Sequence, residues 1–205
     1  MSPILLTALV AVANVLGAAM IMPQVLRIHR RRSVDGLSAA WVGVGIGLNL
    51  WWILYGTATG LWGLLPVSVG ASVLYLTMVT QLVAISGRSE LRGVARGFSL
   101  AATLPLAALV AGGWPAAGLA VGLAYAIQFA PATIAALRSP TIDAIAPLTW
   151  IMACIEAIIW LTYGLATADL ALQVGGTGGA IMAGVILGRL ALGDRSRDQM
   201  MAANA

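Results

Sequence analysis

The chain has 205 residues, of which 60% are hydrophobic and only 9% are charged, and its sequence pI is about 10.0. About a quarter of the residues in a soluble domain are charged, and long apolar runs are typical of membrane spans. The composition therefore excludes an ordinary soluble domain and predicts an all-α polytopic membrane protein. The single cysteine, Cys154, excludes an internal disulfide bond.

Seven apolar segments follow one another along the chain, at about 4–26, 38–56, 61–85, 98–112, 116–137, 145–164 and 170–192. Basic residues follow the first segment and none precedes it, which favours an uncleaved span over a signal peptide. The sequence Gly112-Gly113-Trp114-Pro115 predicts a tight turn between the fourth and fifth segments. The polar stretch 193–205 is predicted to be a disordered cytoplasmic tail.

The basic residues divide the predicted loops into two sides. All 11 are arginines, and ten of them lie in loops 27–36, 87–97 and 138–143 or in the tail. Asp169 is the only charged residue in the predicted loops of the other side. The positive-inside rule then predicts a plasma-membrane protein with its N-terminus outside and its C-terminus in the cytoplasm. Because lipid headgroups account for the arginines, the high pI requires no nucleic-acid partner.

A shift of 108 residues superimposes the second half of the chain on the first without a gap, matching Pro23 with Pro131, Trp52 with Trp160, Tyr55 with Tyr163 and Gly56 with Gly164. Such self-similarity at a fixed period indicates two copies of one structural unit. A three-helix unit ends on the opposite side of the membrane from its start. A fourth helix must therefore intervene before the second copy inserts in the same orientation.

The predicted fold is thus seven transmembrane helices arranged as two parallel three-helix repeats joined by a linker helix, a 3+1+3 arrangement. The predicted divisions are a first triple-helix bundle, a linker with the fourth helix, a second triple-helix bundle and a tail, at 1–86, 87–113, 114–192 and 193–205.

Several repeated residues also carry a family resemblance: Pro23-Gln24, the loop with Arg30, Ser33 and Gly36, the motif Trp52-x-x-Tyr55-Gly56, and the counterparts from Pro131 to Gly164. With these motifs, over about residues 4–192, the chain resembles the PQ-loop (MtN3/saliva) superfamily and most closely a bacterial seven-helix member of its SWEET branch. The resemblance implies passive, alternating-access transport of small sugars by rocking of two triple-helix bundles about a central pocket. Parallel repeats are a known property of that branch.

The resemblance also implies that prolines in helices one, two, five and six act as hinges near the gates. The residues that match this pattern are Pro23 with Gln24 beside it, Pro131 and Pro147. The chain departs from the pattern at Ala39 and Ala132, which stand where a proline and a glutamine are expected.

Two tryptophans are the first candidates for a solute site. Trp52 and Trp160 are equivalent in the repeat and would face one another across a central pocket. The resemblance implies that they line the solute site, where a flat indole could cover the apolar face of a sugar; interfacial or packing tryptophans are the alternative. Family members also place asparagines in helices three and seven. This chain has none there, and the polar residues available to replace them are Ser68, Ser72, Gln173 and Thr177. Of these, Ser72 and Thr177 are predicted to contact the solute.

Glu156 is the one acidic residue inside a predicted span. A charge at the bilayer centre costs at least about 2.5 kcal/mol, so we expect its side chain to face the bundle interior. It precedes Trp160 by four residues on one helix face, where it could hydrogen-bond a solute or carry a coupling proton; a hydrogen bond to a neighbouring helix is the alternative. Asn49 is predicted to line the same pocket. For Asn14 and Gln128, pocket lining and helix–helix hydrogen bonding are both open.

Two other functions are left open. Glu156 motivates a proton-coupled exporter of an amino acid or another small metabolite, as in other PQ-loop members. A non-transporting membrane receptor of the same fold would bind a ligand without solute flux. The sequence has no recognisable nucleophile–base pair, metal-ligand cluster or phosphate-binding loop, so we predict no enzyme activity, no cofactor and no metal. The predicted partners are a small solute, with a sugar first, and the lipid bilayer; a homo-oligomer is left open.

Overall fold

The computed structural model describes residues 2–34, 37–138 and 147–203, and the secondary structure in these ranges is helical. A 3₁₀ turn, Trp62–Leu64, precedes the third helix. The α-helices are α1 (Pro3–Arg31), α2 (Ala39–Thr59), α3 (Leu65–Ser86), α4 (Glu90–Ile127), α5 (Ala130–Arg138), α6 (Pro147–Ala166) and α7 (Leu170–Ala203).

Six stretches of the described chain are long and apolar enough to cross a membrane. The exposed surfaces of these helices agree with that assignment. Large apolar side chains such as Leu100 and Val110 are 73% and 83% exposed on the outside of the bundle. Exposed apolar surface on this scale is expected where lipid replaces water. The structure therefore confirms an all-helical polytopic membrane protein.

The predicted fourth and fifth segments both lie in one stretch of 49 mostly helical residues, Glu90–Arg138. The backbone leaves the helical region within it, at Gly112 (φ −147°, ψ 16°) and Gly113 (φ 69°, ψ −163°). The positive φ of Gly113 is accessible to a glycine at no steric cost. This break lies where the sequence predicts a turn, and it divides α4 into two helical halves.

The helix starts follow local sequence signals. Ser38 caps α2, because its Oγ accepts a hydrogen bond of 3.3 Å from the backbone N–H of Trp41, and Ser2 caps α1 in the same way. Asp35 and Asp143, which are equivalent in the repeat, lie outside the described residues, and so does Gly36.

Glycines allow α2 and α4 to pack backbone against backbone. A Cβ on Gly43 would collide with the carbonyl of Val94, and a Cβ on Gly97 would collide with the carbonyl of Ala40. These contacts place the first half of α4, which is the predicted linker helix, against α2 of the first repeat. A glycine has the same effect in α7, where Gly176 lies directly against the backbone of α6.

The buried core is continuous at one end of the bundle and divided at the other. At the end with the Trp-x-x-Tyr-Gly motifs, one cluster joins both repeats through residues such as Trp52, Tyr55, Ile159 and Trp160. At the arginine-rich end, the first repeat has its own cluster around Met78. The second repeat has a separate cluster of Ala136, Ile186 and Leu190. The two repeats therefore separate toward the arginine-rich end.

Two boundaries differ from the sequence predictions. The backbone of α7 stays helical to Ala203, into the stretch 193–205 predicted to be a disordered tail. The predicted fifth segment is interrupted at Gln128 and Phe129, between the end of α4 at Ile127 and the start of α5 at Ala130. A composition rich in alanine and apolar residues does not reveal such a short interruption.

Candidate functional site

A cavity in two connected parts lies between the repeats. The larger part, which we call the outer chamber, has a volume of about 320 Å³ and extends toward the arginine-rich end past Gln24 and Trp150. The smaller part, the inner chamber, has a volume of about 60 Å³. Both chambers are lined by Asn49, Trp52, Val67, Tyr125 and Glu156.

Four of the six predicted solute-site residues meet in this cavity. Trp52, Asn49 and Glu156 line both chambers, and Trp160 lines the inner one. The two tryptophans are 8% and 6% exposed, so their rings form the cavity wall and do not lie at a membrane interface. The Nδ2 of Asn49 donates a hydrogen bond of 2.8 Å to the carbonyl of Gly45 one turn earlier.

Glu156 is the only buried charged residue of the described chain, with 4% of its surface exposed. Its Oε1 accepts a hydrogen bond of 3.1 Å from Trp160 Nε1, and Tyr125 lines the same two chambers beside it. Its Oε2 is buried without a hydrogen-bond partner among the described residues. Across the cavity, α1 presents Gly17, where any Cβ would collide with Glu156 Oε1 and Val67.

The structure moves the other two predicted solute-site residues away from the cavity. Ser72 lines neither chamber, and its hydroxyl donates a hydrogen bond of 2.7 Å to the carbonyl of Ser68. Thr177 is exposed on α7. Ser68, which is 2% exposed, and the glycine pair Gly175-Gly176 take their places in the wall of the inner chamber. A helix turns by about 100° per residue, so the neighbours of a lining residue point elsewhere.

Apart from Gln128, for which pocket lining was left open, sequence reasoning missed the contribution of the fifth predicted segment. Tyr125 lines both chambers, and Gln128, Phe129 and Ala132 line the outer one. Their spacing of three, four and seven residues is the pattern of one helix face, which was the available signal. Asn14 lines neither chamber; its side chain hydrogen-bonds the backbones of Gly63 and Val67 and ties α1 to the start of α3.

The predicted hinge residues do not share one structural setting. Pro23 lies inside α1, where its missing N–H deprives the carbonyl of Ala19 of its helical hydrogen bond. Gln24 lines the outer chamber. Pro131 and Pro147 instead lie in the first turn of α5 and α6, where a proline removes no helical hydrogen bond. In the second repeat, the helical hydrogen bonding is interrupted at Gln128 and Phe129, just before Pro131, so the proline equivalent to Pro23 lies in a first turn and not in a helix interior.

The end opposite the arginine-rich loops is closed by hydrogen bonds between the repeats, which we call the cross-repeat latch. The Tyr55 hydroxyl of the first repeat donates to Asp169 Oδ2 at the start of α7. The Tyr163 hydroxyl of the second repeat hydrogen-bonds the backbone of Gly63 before α3. Tyr55 and Tyr163 are equivalent in the 108-residue repeat, so each repeat holds the other by the same motif. Asp169 Oδ1 also accepts from the N–H of Leu172 at 2.9 Å.

These features define the class: an integral membrane protein of apolar helices with an internal cavity between two related units. Residues 5–64 match the family model for the PQ loop repeat. This part of the chain therefore carries a PQ loop repeat, as the resemblance predicted. The matched range contains Pro23-Gln24, the Trp52-x-x-Tyr55-Gly56 motif and the first repeat up to the start of α3. No curated protein matches the chain.

Proposed function

We propose that the chain is an alternating-access membrane carrier that moves a small polar solute through the two chambers. The observation that carries this proposal is the contrast between the two ends of the cavity. The outer chamber extends toward the arginine-rich end, where the cores of the two repeats are separate, and the cross-repeat latch closes the other end. Rocking of the repeats would open the latch and close the outer chamber.

The proposed topology is seven spans in the 3+1+3 arrangement. A straight helix of 49 residues would be about 70 Å long, more than twice the hydrocarbon thickness of about 30 Å. The break at Gly112 and Gly113 supports two crossings in this stretch, which raises the count from six to seven. If the arginine-rich loops lie in the cytoplasm, the outer chamber would open toward the cytoplasm.

A small neutral sugar moving down its gradient is the first candidate solute. Trp52 and Trp160 offer flat apolar surfaces, and Asn49 and Ser68 offer hydrogen-bonding groups in the same wall. Such a combination of broad aromatic faces and a few polar groups is typical of small-molecule sites. The proposed solute contacts are therefore Trp52, Trp160, Asn49 and Glu156, with Ser68 in place of Ser72 and Thr177.

The second candidate is a proton-coupled exporter of an amino acid or another small metabolite. The burial of Glu156 at the junction of the two chambers favours it, because a carboxyl group in that place can be reached by a proton and by a solute together. A receptor of the same fold would bind a ligand in the cavity without moving it.

Counterflow of radiolabelled sugar in proteoliposomes, at equal and at unequal pH, tests these alternatives. Glu156→Gln is compared with Glu90→Gln, which makes the same chemical change at the start of α4 outside both chambers. Counterflow that ignores the pH gradient and survives Glu156→Gln supports a passive sugar carrier. Flux that follows the gradient and is lost only in Glu156→Gln supports the coupled exporter. Binding without flux of any solute contradicts both in favour of a receptor.

A further inference from the structure

The wall of the two chambers carries one acidic group and, among its described residues, no basic one. Glu156 lines both chambers, and no arginine, lysine or histidine joins it there. The equivalent position of the first repeat holds Leu48, which lines the outer chamber as well. The cavity therefore combines a carboxylate on one side with an aliphatic side chain on the other.

The hydrogen bond from Trp160 orients the carboxyl group of Glu156 without supplying a positive charge. Its donor, the Trp160 indole, is a neutral group, and so is the hydroxyl of Tyr125 in the same cavity wall. The second oxygen, Oε2, is buried and has no partner among the described residues. A buried acceptor of this kind is stable when a donor reaches it, and a buried carboxylate is stable when that donor is cationic. The geometry therefore points to a donor that the occupant of the cavity supplies.

Aromatic rings line the route from the outer chamber to Glu156. Trp52, Tyr125, Phe129 and Trp150 form a continuous edge-to-face series with centroid distances of 6.3, 5.4 and 6.1 Å. All four rings line the outer chamber. Faces of aromatic rings attract cations, most strongly when the site excludes water. Rings around a carboxylate therefore favour an organic cation over a neutral molecule.

We propose that the solute bound beside Glu156 is a small organic cation with a primary ammonium group. The ammonium donates to Oε2 and neutralises the carboxylate, and the remainder of the molecule packs on the rings. An amino acid would bring a carboxylate of its own, for which the described lining offers no cationic partner. A neutral sugar would bring no cationic donor to Oε2. This inference rests on the proposed carrier function and names its solute class as an amine without a carboxylate.

Three matched probes test the inference on the purified full chain at pH 7. Phenethylamine has the ring and the ammonium, 2-phenylethanol replaces the ammonium by a hydroxyl, and phenylalanine adds a carboxylate. We expect isothermal titration calorimetry to give phenethylamine an affinity at least roughly tenfold above that of either other probe. Equal affinity for phenethylamine and 2-phenylethanol in the unaltered chain would overturn the inference, and this comparison depends on no variant.

Variants then assign the preference to Glu156. Glu156→Gln should lower the affinity for phenethylamine at least roughly tenfold and change that for 2-phenylethanol less than twofold, because only the charge is lost. Glu156→Asp keeps the charge and should keep a measurable preference for the amine. Glu90→Gln is the matched control and should change nothing. An amine preference that persists in Glu156→Gln, with a helical circular dichroism spectrum like that of the parent, shows that the inference is wrong.

Counterflow in proteoliposomes, measured above that of protein-free vesicles, separates this inference from the proposed function. Glucose counterflow together with equal affinity for the three probes leaves the carrier standing and removes the ammonium site. A Glu156-dependent amine preference without counterflow of phenethylamine or glucose leaves the ammonium site standing and removes the carrier. Counterflow of phenethylamine that Glu156→Gln abolishes supports both.

Discussion

The two ends of the cavity are held by different kinds of contact. At the closed end, one apolar cluster spans both repeats, and Tyr55 and Tyr163 add polar bonds between them. At the arginine-rich end, each repeat has a core of its own. Apolar contact is non-directional, whereas a hydrogen bond between two defined atoms is lost after a small displacement. The closed end is therefore held by an extended apolar contact and by two hydrogen bonds. A small displacement of one repeat relative to the other would break both hydrogen bonds.

The repeats also differ in what they contribute to the site. The first repeat supplies Asn49 and Ser68, and the second supplies Glu156 and Tyr125, at positions whose repeat partners are unlike them in size or polarity. Gly17 is the partner of Tyr125, and its missing side chain gives the Glu156 carboxyl group its space. The motif residues are thus repeated in the sequence, whereas the chemistry of the site is asymmetric.

The largest effect is expected from Asn14→Leu at the closed end. The substitution leaves the N–H of Val67 without its Asn14 partner and removes a hydrogen bond of 3.1 Å to the carbonyl of Gly63. We expect a loss of about 1–3 kcal/mol for a buried backbone group left unpaired, measured as a lower midpoint of thermal unfolding in detergent. Thr7→Val, a change on an exposed part of α1, serves as the control; an unchanged midpoint in Asn14→Leu would contradict the role of Asn14.

Tyr55→Phe should have the next largest effect, because it removes the bond to Asp169 and keeps the cap on Leu172. A hydrogen bond to a charged group contributes about 1.5–3 kcal/mol, enough to shift the balance of the two cavity states at least roughly tenfold. The measurement is the rate at which an impermeant thiol reagent, added on the side of the latch, labels Leu172→Cys in a Cys154→Ser background. Thr57→Val on the same helix is the control, and equal rates would show that the bond does not hold the end closed.

Tyr163→Phe should open the same end less, because its partner is the neutral backbone of Gly63. A neutral hydrogen bond contributes about 0.5–1.5 kcal/mol, which corresponds to roughly two- to tenfold faster labelling in the same assay. An effect above that of Tyr55→Phe would reverse the ranking and identify the second repeat as the stronger half of the latch.

The smallest effects are expected from Ser72→Ala and Thr177→Val. Neither side chain lines a chamber, and Thr177 is exposed. Surface substitutions of this kind change stability by less than about 0.5 kcal/mol, and counterflow should stay within twofold of the parent. Ser68→Ala tests the replacement residue beside them, and it should reduce counterflow if Ser68 holds the solute.

Composition and charge were sufficient to predict the helical membrane fold. The apolar lengths and the arginine loops are local properties, and so is the break at Gly112 and Gly113. The positions of Trp52 and Trp160 in the wall followed from their equivalence in the repeat. Two residues that are equivalent in a repeat are expected to occupy equivalent places in the fold. The repeat therefore gives information on tertiary position that local helix propensity does not give.

Contacts between the repeats could not be predicted in this way. Tyr55 and Asp169 are 114 positions apart, and the repeat partner of Asp169 is Leu61, so no pattern pairs them. The prediction that Ser72 lines the cavity failed for another reason; Ser68, one turn earlier, lines the inner chamber instead. Helices such as α3 are apolar around most of their circumference, so the sequence gives little information on which face lines a cavity.

The first helix behaves mechanically as a jointed rod. Its half toward the closed end is pinned by Asn14 and by the contact of Gly17 with Glu156. Beyond Pro23, the other half ends in Arg30 and Arg31. A proline inside a helix weakens it at one point, so a load applied to the arginine end would bend α1 at Pro23 and leave the pinned half in place.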